Sequence, residues 1–241
     1  MAIIIGTSGW SYDHWENIVY PGGVKGPLRL DYYVKLFDTV ELNSSFYNWP
    51  LDRVFFSWAT RLPDHFILTV KAPRNLTHFQ KLYKPEYWIM RVVRAISFLK
   101  EKMGVLLVQL PPSFGVDYPR LEYFLKMIPP EIRMAVEFRH HEWHQETTFQ
   151  MLEQYNKAYC IMSGNHLACV LRATTDFVYV RLHGPDQADQ HGCYSEENLN
   201  WWADRIREWH NMNKDVYVYF NNDFEGHAVR NAQRLKQLLC V

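Results

Sequence analysis

Eight short apolar runs, each able to form a β-strand, recur through the chain: 2–5 (AIII), 39–44 (TVELNS), 65–72 (HFILTVKA), 104–110 (GVLLVQL), 133–139 (RMAVEFR), 158–163 (AYCIMS), 177–183 (FVYVRLH) and 215–221 (DVYVYFN). Between most of them the apolar spacing changes to a helical one. Leu51, Val54, Phe55 and Trp58 follow i, i+3, i+4, i+7, as do Ile89, Val92, Val93 and Ile96. Leu199, Trp202, Ala203 and Ile206 repeat the pattern, and Ala228, Ala232, Leu235 and Leu239 continue it near the C-terminus. Pro50 just before Leu51, and Ser195 ahead of Glu196 and Glu197, are plausible helix starts. Alternating strands and helices require parallel strands joined by crossover helices. Eight such repeats in 241 residues are the arithmetic of an α/β, TIM-like (β/α)8 barrel. The competing architecture is a doubly wound open sheet. It is disfavoured because no G-x-G-x-x-G follows the first strand, and because polar strand ends recur on nearly every strand instead of at one switch point. Residues 164–176 leave too little room for a regular sixth helix, so an irregularity is expected there. With no linker or low-complexity tract, residues 1–241 read as a single domain.

Those polar strand ends are the functional signal. VELN (40–43), TVKA (69–72), VQL (108–110), VEFR (136–139), VRLHG (180–184) and YFNND (219–223) all finish an apolar run in charged or amide residues. Isolated buried charges are expensive, so such residues must be paired, hydrated or used. Alternate strand residues share a face, which links Glu41 with Asn43, Glu137 with Arg139, and Arg181 with His183. The same rule links Tyr219, Asn221 and Asp223, and Thr69 with Lys71, while Gln109 closes the fourth run. In a barrel these positions fall at the C-terminal end of the strands, where catalytic residues collect. An internal ion-pair network filling the barrel would have the same signature.

Four chemistries suit this set. Glu41 and Glu137 offer a glycosidase-type carboxylate pair. Lys71 offers a Schiff base if its neighbours depress its pKa, though a salt-bridged lysine is the simpler expectation. His183 with Glu41, Glu137 and Asp223 offers ligands to a divalent metal, but Lys71, Arg139 and Arg181 would repel a cation, so no cofactor is predicted and a metal is disfavoured. Arg139, Arg181, Lys71 and His183 offer charge-assisted donors to a phosphate or carboxylate. The anion site is the favoured option, helped by the Asn221-Asn222-Asp223 turn that precedes Gly226. Catalytic candidates are therefore Glu41, Lys71, Glu137 and His183. Ligand-binding candidates are Ser8, Trp10, Asn43, Gln109, Arg139, Arg181 and Asn221. Replacing Arg181 with Met is expected to abolish ligand binding at little cost in folding stability.

The first βα loop, read as Gly6-Thr7-Ser8-Gly9-Trp10-Ser11-Tyr12, combines glycines and hydroxyls that let backbone N–H groups approach a ligand. Trp10, Tyr12, Trp15, Tyr47, Trp49, Phe114 and Trp143 follow strand ends and are either stacking residues or rim packing. His78, His140, His141, His144, His191 and His227 are scattered in loops without a ligand spacing; His140-His141 is the one pair worth following.

Lys+Arg 26 against Asp+Glu 26 leaves no global basic field to attract nucleic acid, although a local patch can still do so. Residues 73–85 (PRNLTHFQKLYKP) form such a patch. Arg74, His78, Lys81 and Lys84 supply charge, and Phe79 and Tyr83 supply rings. This supports an alternative in which the protein is a nucleic-acid-binding module without chemistry. Cys160, Cys169, Cys193 and Cys240 form no C-x-x-C pair. The short run Ala2-Ile3-Ile4-Ile5 lacks a basic leader, and no apolar stretch approaches membrane-spanning length. A cytoplasmic protein with reduced cysteines and no membrane partner is expected. Nothing in the sequence sets the oligomeric state.

Seven segments, in order and at matching spacing, resemble the YecE-like family, also called domain of unknown function 72. They are GTSGWSYDHW (6–15) with VYPGG (19–23), VELNSSFYNWP (40–50), TVKAPRNLTH (69–78), LLVQLPPSF (106–114), VEFRHHEW (136–143), YVRLHG (179–184), and VYVYFNND (216–223) with GHAVRNA. The resemblance covers nearly the whole chain and implies a single-domain TIM-like barrel without supplying an activity. It also implies a fold-level likeness to xylose-isomerase and endonuclease-IV barrels, whose metal ligands have no one-to-one counterparts here. The functional expectation is an enzyme performing acid/base chemistry, a hydrolase or isomerase, on a phosphorylated or nucleotide-like small anionic ligand.

Overall fold

The structure is a computed structural model describing residues 1–164, 166–185 and 192–241. Its strands are β1 (Ile3–Ser8), β2 (Thr39–Leu42), β3 (Ile67–Lys71), β4 (Met103–Leu110), β5 (Met134–Phe138), β6 (Ala158–Ser163), β7 (Phe177–Leu182) and β8 (Asp215–Phe220). They form a closed barrel in sequence order, a TIM-like (β/α)8 fold. The helices are α1 (Gly26–Tyr33), the single turn α2 (Ser44–Tyr47), α3 (Asp52–Arg61), α4 (Glu86–Ser97), α5 (Tyr118–Met127), α6 (Glu146–Gln154), α7 (Glu196–Asn211) and α8 (His227–Leu239). Among the described residues no helix lies between β6 and β7, the irregularity expected there. Side-chain bonds hold part of that connection. Thr174 Oγ1 accepts from Tyr159 N at 2.8 Å and donates to Lys157 O at 2.7 Å.

Seven strands agree with the sequence reading to within two residues at each end. β1 does not: Gly6, Thr7 and Ser8 belong to the strand and not to the loop that follows. Thr7 N donates to Tyr33 Oη at 3.0 Å, and Thr7 Oγ1 lies 2.8 Å from the same hydroxyl, so the polar side chain is satisfied inside. Gly6 is there because a Cβ would stand 2.5 Å from Thr39 O. The four helical periodicities fall on α3, α4, α7 and α8. Helices α1, α5 and α6 and the single turn α2 are additional. Helix α1 buries Arg29 with Leu30 and Tyr33 behind a Gly-Pro start, a pattern that reads as a turn. Helix α5 is capped by Asp117, whose Oδ1 accepts from Arg120 N at 3.1 Å, and buries Leu121, Phe124 and Leu125. Residues 73–85 are not simply a loop. They contain a π-helical turn, Asn75–Phe79, which buries Leu76 and Thr77. No described helix is long and apolar enough to cross a membrane.

The chain divides into two compact units. The first comprises Met1–Glu41, Ile161–Cys169 and Asp176–Val241; the second comprises Leu42–Cys160 and Val170–Thr175. In the first, β1 pairs with β8 from Ile3↔Val216 to Thr7↔Phe220, β7 pairs with β8, and Ser8 stands opposite Glu41 on β2. In the second, β3, β4, β5 and β6 pair in succession, with Gln109 opposite Glu137. Parallel strands covered on both faces are apolar almost throughout. Accordingly every residue of β5 and of β7 is buried, including Glu137 and Arg181.

Candidate functional site

Each unit carries a polar cluster at the C-terminal ends of its strands. In the first, Glu41 is fully buried and Arg181 is 1% exposed. The guanidinium grips the carboxylate as a fork, Nη2 to Oε1 at 2.7 Å and Nε to Oε2 at 2.9 Å. Ser8 Oγ donates to Oε1 and Tyr179 Oη to Oε2, both at 2.5 Å. Two donors on each oxygen fill the acceptor sites of a carboxylate. Burial and the Glu41 charge push the Tyr179 hydroxyl's pKa well up, keeping it a donor. Tyr12 Oη donates to Ser8 O at 2.6 Å, and burial with the charges of Asp223 and Glu41 raises its pKa as well.

Further along the same strand ends, His183 Nδ1 is 3.0 Å from Asn221 Nδ2, which makes that nitrogen the acceptor. His183 N donates to Ser163 O at 2.9 Å and Asn221 N to Leu182 O at 2.7 Å, so the ladder sets both positions. Gly164 has φ +93, and a Cβ there would stand 1.5 Å from Gly184 O, so two strand exits approach more closely than any side chain allows. Trp10 is half-buried just after β1, beyond Gly9, whose N–H donates to Glu41 O at 2.8 Å.

In the second unit Glu137 is fully buried and accepts on Oε1 from Gln109 Nε2 at 2.6 Å and from Arg139 Nε. Lys71 is 6% exposed, and its Nζ stands 4.3 Å from the centre of the Phe46 ring. His78, at the end of the π-helical turn, meets Phe46 edge-on with centroids 4.8 Å apart. Its Nδ1 is 3.0 Å from Thr77 Oγ1. Burial and the Lys71 charge, with a smaller contribution from Arg139, lower the His78 pKa to about 4, against the opposing pull of Glu137. Asn43 heads α2, and its Oδ1 is buried without a hydrogen bond from the described residues. Above this cluster the rings are open to solvent. Tyr47 and Phe79 are exposed, with the Arg74 guanidinium 5.9 Å and 5.4 Å from their centres.

The predicted residues thus divide between two clusters. Ser8, Glu41 and Arg181 form one with Tyr179, and His183 pairs with Asn221. Gln109, Glu137 and Arg139 form another, and Lys71 lies against Phe46 in the same unit. Sequence reasoning did not single out Tyr179, Phe46 or, as a member of this cluster, His78. Tyr179 was legible as the residue two before Arg181 on the same strand face. His78 was not legible, because a π turn has no apolar period to orient it. Trp15, Phe114 and Trp143 are buried core rings and not rim stackers. Trp143 Nε1 donates to Phe114 O at 2.8 Å. His140 and His141 stack on one another with centroids 4.6 Å apart. Among the described residues no three His, Cys, Asp or Glu side chains are grouped to hold a metal ion. His191 lies outside the described residues.

A (β/α)8 barrel with charged residues at the C-terminal strand ends defines a broad class that hosts many chemistries. Within it, the chain belongs to the family described as Protein of unknown function DUF72, which it matches over residues 4–241. It is similar to the UPF0759 protein YunF of Bacillus subtilis (strain 168), at 29% identity over 99% of this chain and 95% of that protein. It is also similar to the UPF0759 protein YecE of Escherichia coli O157:H7, at 25% identity over 86% of this chain and 82% of that one. The crystal structure of the DUF72 family protein TM1631 from Thermotoga maritima superposes with a TM-score of 0.88 at 30% identity, covering 100% of both chains.

Proposed function

We propose that the protein is an enzyme that holds a phosphorylated or nucleotide-like ligand at the C-terminal ends of β3, β4 and β5. The observation that carries this reading is the gathering of cationic side chains, Lys71 and Arg139, at the second cluster, where their charges act on His78. Among the described residues, Lys71 and Arg139 lie with the buried carboxylate Glu137, and burial together with the Lys71 and Arg139 charges depresses the pKa of His78 against the pull of Glu137. A positive field in a poorly hydrated place favours an anion. Lys71 and Arg139 would take the oxyanion, and Glu137, braced by Gln109, would move a proton. Asn43 Oδ1 would accept from a ligand hydroxyl. Tyr47 and Phe79 would receive a base or sugar by stacking. The Glu41–Arg181 fork is assigned a bracing role, because both Glu41 oxygens are already taken by Arg181, Ser8 and Tyr179.

Calorimetric titration with sugar phosphates, nucleotides and short oligonucleotides tests the reading. At least one class should bind, and Lys71→Met should weaken it by about tenfold, the effect of losing roughly 1.4 kcal/mol of charge-assisted contact. Absence of binding in all three classes would sink the proposal. The alternative, nucleic-acid binding without chemistry, draws on the exposed Phe79 and Tyr83 rings. It predicts oligonucleotide binding that Phe79→Ala removes and Lys71→Met leaves intact.

A further inference from the structure

The charges of Lys71 and Arg139, the two cations proposed to take the anion, act on His78, and Phe46 touches both His78 and Lys71, yet the reading above gives His78 no task. We propose that His78 is the proton-accepting group of this site, and that it takes up a proton when a doubly charged oxyanion binds to Lys71 and Arg139. The inference rests on the anion-site reading and adds a proton-coupled ligand class to it.

The geometry suits both charge states of the imidazole. Thr77 is fully buried, and its single hydroxyl hydrogen has two acceptors within reach, His78 Nδ1 at 3.0 Å and Pro73 O at 3.2 Å. With a bare Nδ1 the hydroxyl donates to the ring. With a protonated Nδ1 it turns to Pro73 O and accepts from the ring. Neither state leaves a buried N–H or lone pair unmatched at that nitrogen. Among the described residues, three charged side chains act on His78. Lys71 on β3 and Arg139 after β5 disfavour a third positive charge, Glu137 on β5 favours it, and α2 contributes the uncharged Phe46 ring.

A bound dianion offsets Lys71 and Arg139, which leaves Glu137 and the ligand to favour the imidazolium. The proton comes from solvent or a ligand O–H, whose bonding pair stays on oxygen, and the imidazole lone pair takes it. The bound complex thereby acquires a charged acid that can return the proton to a leaving oxygen. In the free protein the pKa of about 4 keeps His78 neutral near pH 7.

Sulfate is the probe, since it stays doubly charged across the range in which histidine titrates. Histidine 15N spectra, with the His78 signal assigned by its loss in His78→Gln, give the midpoint without and with saturating sulfate. The expected result is a rise of about one unit or more, equivalent to at least tenfold tighter sulfate binding to the protonated protein. Calorimetry at a pH between the two midpoints, in two buffers of different ionisation enthalpy, should show uptake of about half a proton. Lys71→Met should raise the midpoint of the free protein and remove most of the sulfate-induced rise. Sulfate that binds without moving the midpoint overturns this inference and leaves the anion site standing. Failure of sulfate to bind overturns this inference, while the anion site then stands or falls on the titrations with sugar phosphates and nucleotides described above.

Discussion

Arg181 and Glu41 stand on β7 and β2 with 1% and 0% exposure, and each supplies what burial of the other requires. Neither would be tolerable alone, since an unpaired buried charge costs several kcal/mol. This corrects the expectation that Arg181→Met is structurally cheap. The substitution strands a buried carboxylate that keeps only the Ser8 and Tyr179 hydroxyls among the bonds described above. Arg181→Met should lower unfolding stability in urea by about 3–5 kcal/mol, whereas a Glu41→Leu/Arg181→Met double variant should recover much of that loss. Equal destabilisation of the single and double variants would contradict the pairing. Strand alternation made both residues visible as inward-facing and polar. It could not tell which carboxylate meets which guanidinium, because partners on different strands are set by register and rotamer and leave no trace in local pattern.

At the scale of elements, the strands were the legible part. Each is a run of β-branched and aromatic residues whose apolar character is required by burial on both faces. Helices were legible where one face is apolar, as in α4 with Ile89, Val92 and Ile96, and obscure where the buried face includes a charge, as in α1 with Arg29. The π-helical turn of Asn75–Phe79 carries His78 and was the least legible element, because five residues offer no period. Capping signals did transfer. Ser195 Oγ accepts from Asn198 N at 3.2 Å, while Asn198 Oδ1 accepts from Ser195 N at 3.3 Å, a reciprocal box at the start of α7. Ser195→Ala should cost about 1 kcal/mol, measured as a shift in the urea midpoint at unchanged slope. A loss below a few tenths of a kcal/mol, on the same scale, would mean the cap is frayed in solution.

For the whole molecule, titratable groups moved by burial set the pH range over which the fold is stable. On the alkaline side Tyr12, Tyr33 and Tyr179 all have their pKa raised above the ordinary 10.0. The unfolded chain loses these protons first, so the stability they contribute is present below pH 10 and is lost as pH rises beyond it. On the acid side His78 acts in the opposite sense. Its folded value of about 4 lies below the ordinary 6.5, so between those limits the unfolded chain binds a proton that the folded chain refuses. Stability therefore falls as pH drops from 6.5 toward 4, and His78 adds no further slope below that. His78 is only half-buried, so solvent screening reduces the effect without changing its sign. His78→Gln removes this contribution. Urea unfolding at pH 7 and pH 5 should show the variant losing less stability than the wild type over that interval. Saturating sulfate should bring the wild type closer to the variant, because an anion that raises the folded value of His78 narrows the difference between folded and unfolded chains. Equal losses for variant and wild type without sulfate would mean that Lys71 and Arg139 do not set the field at His78, and would remove the electrostatic basis for the anion site.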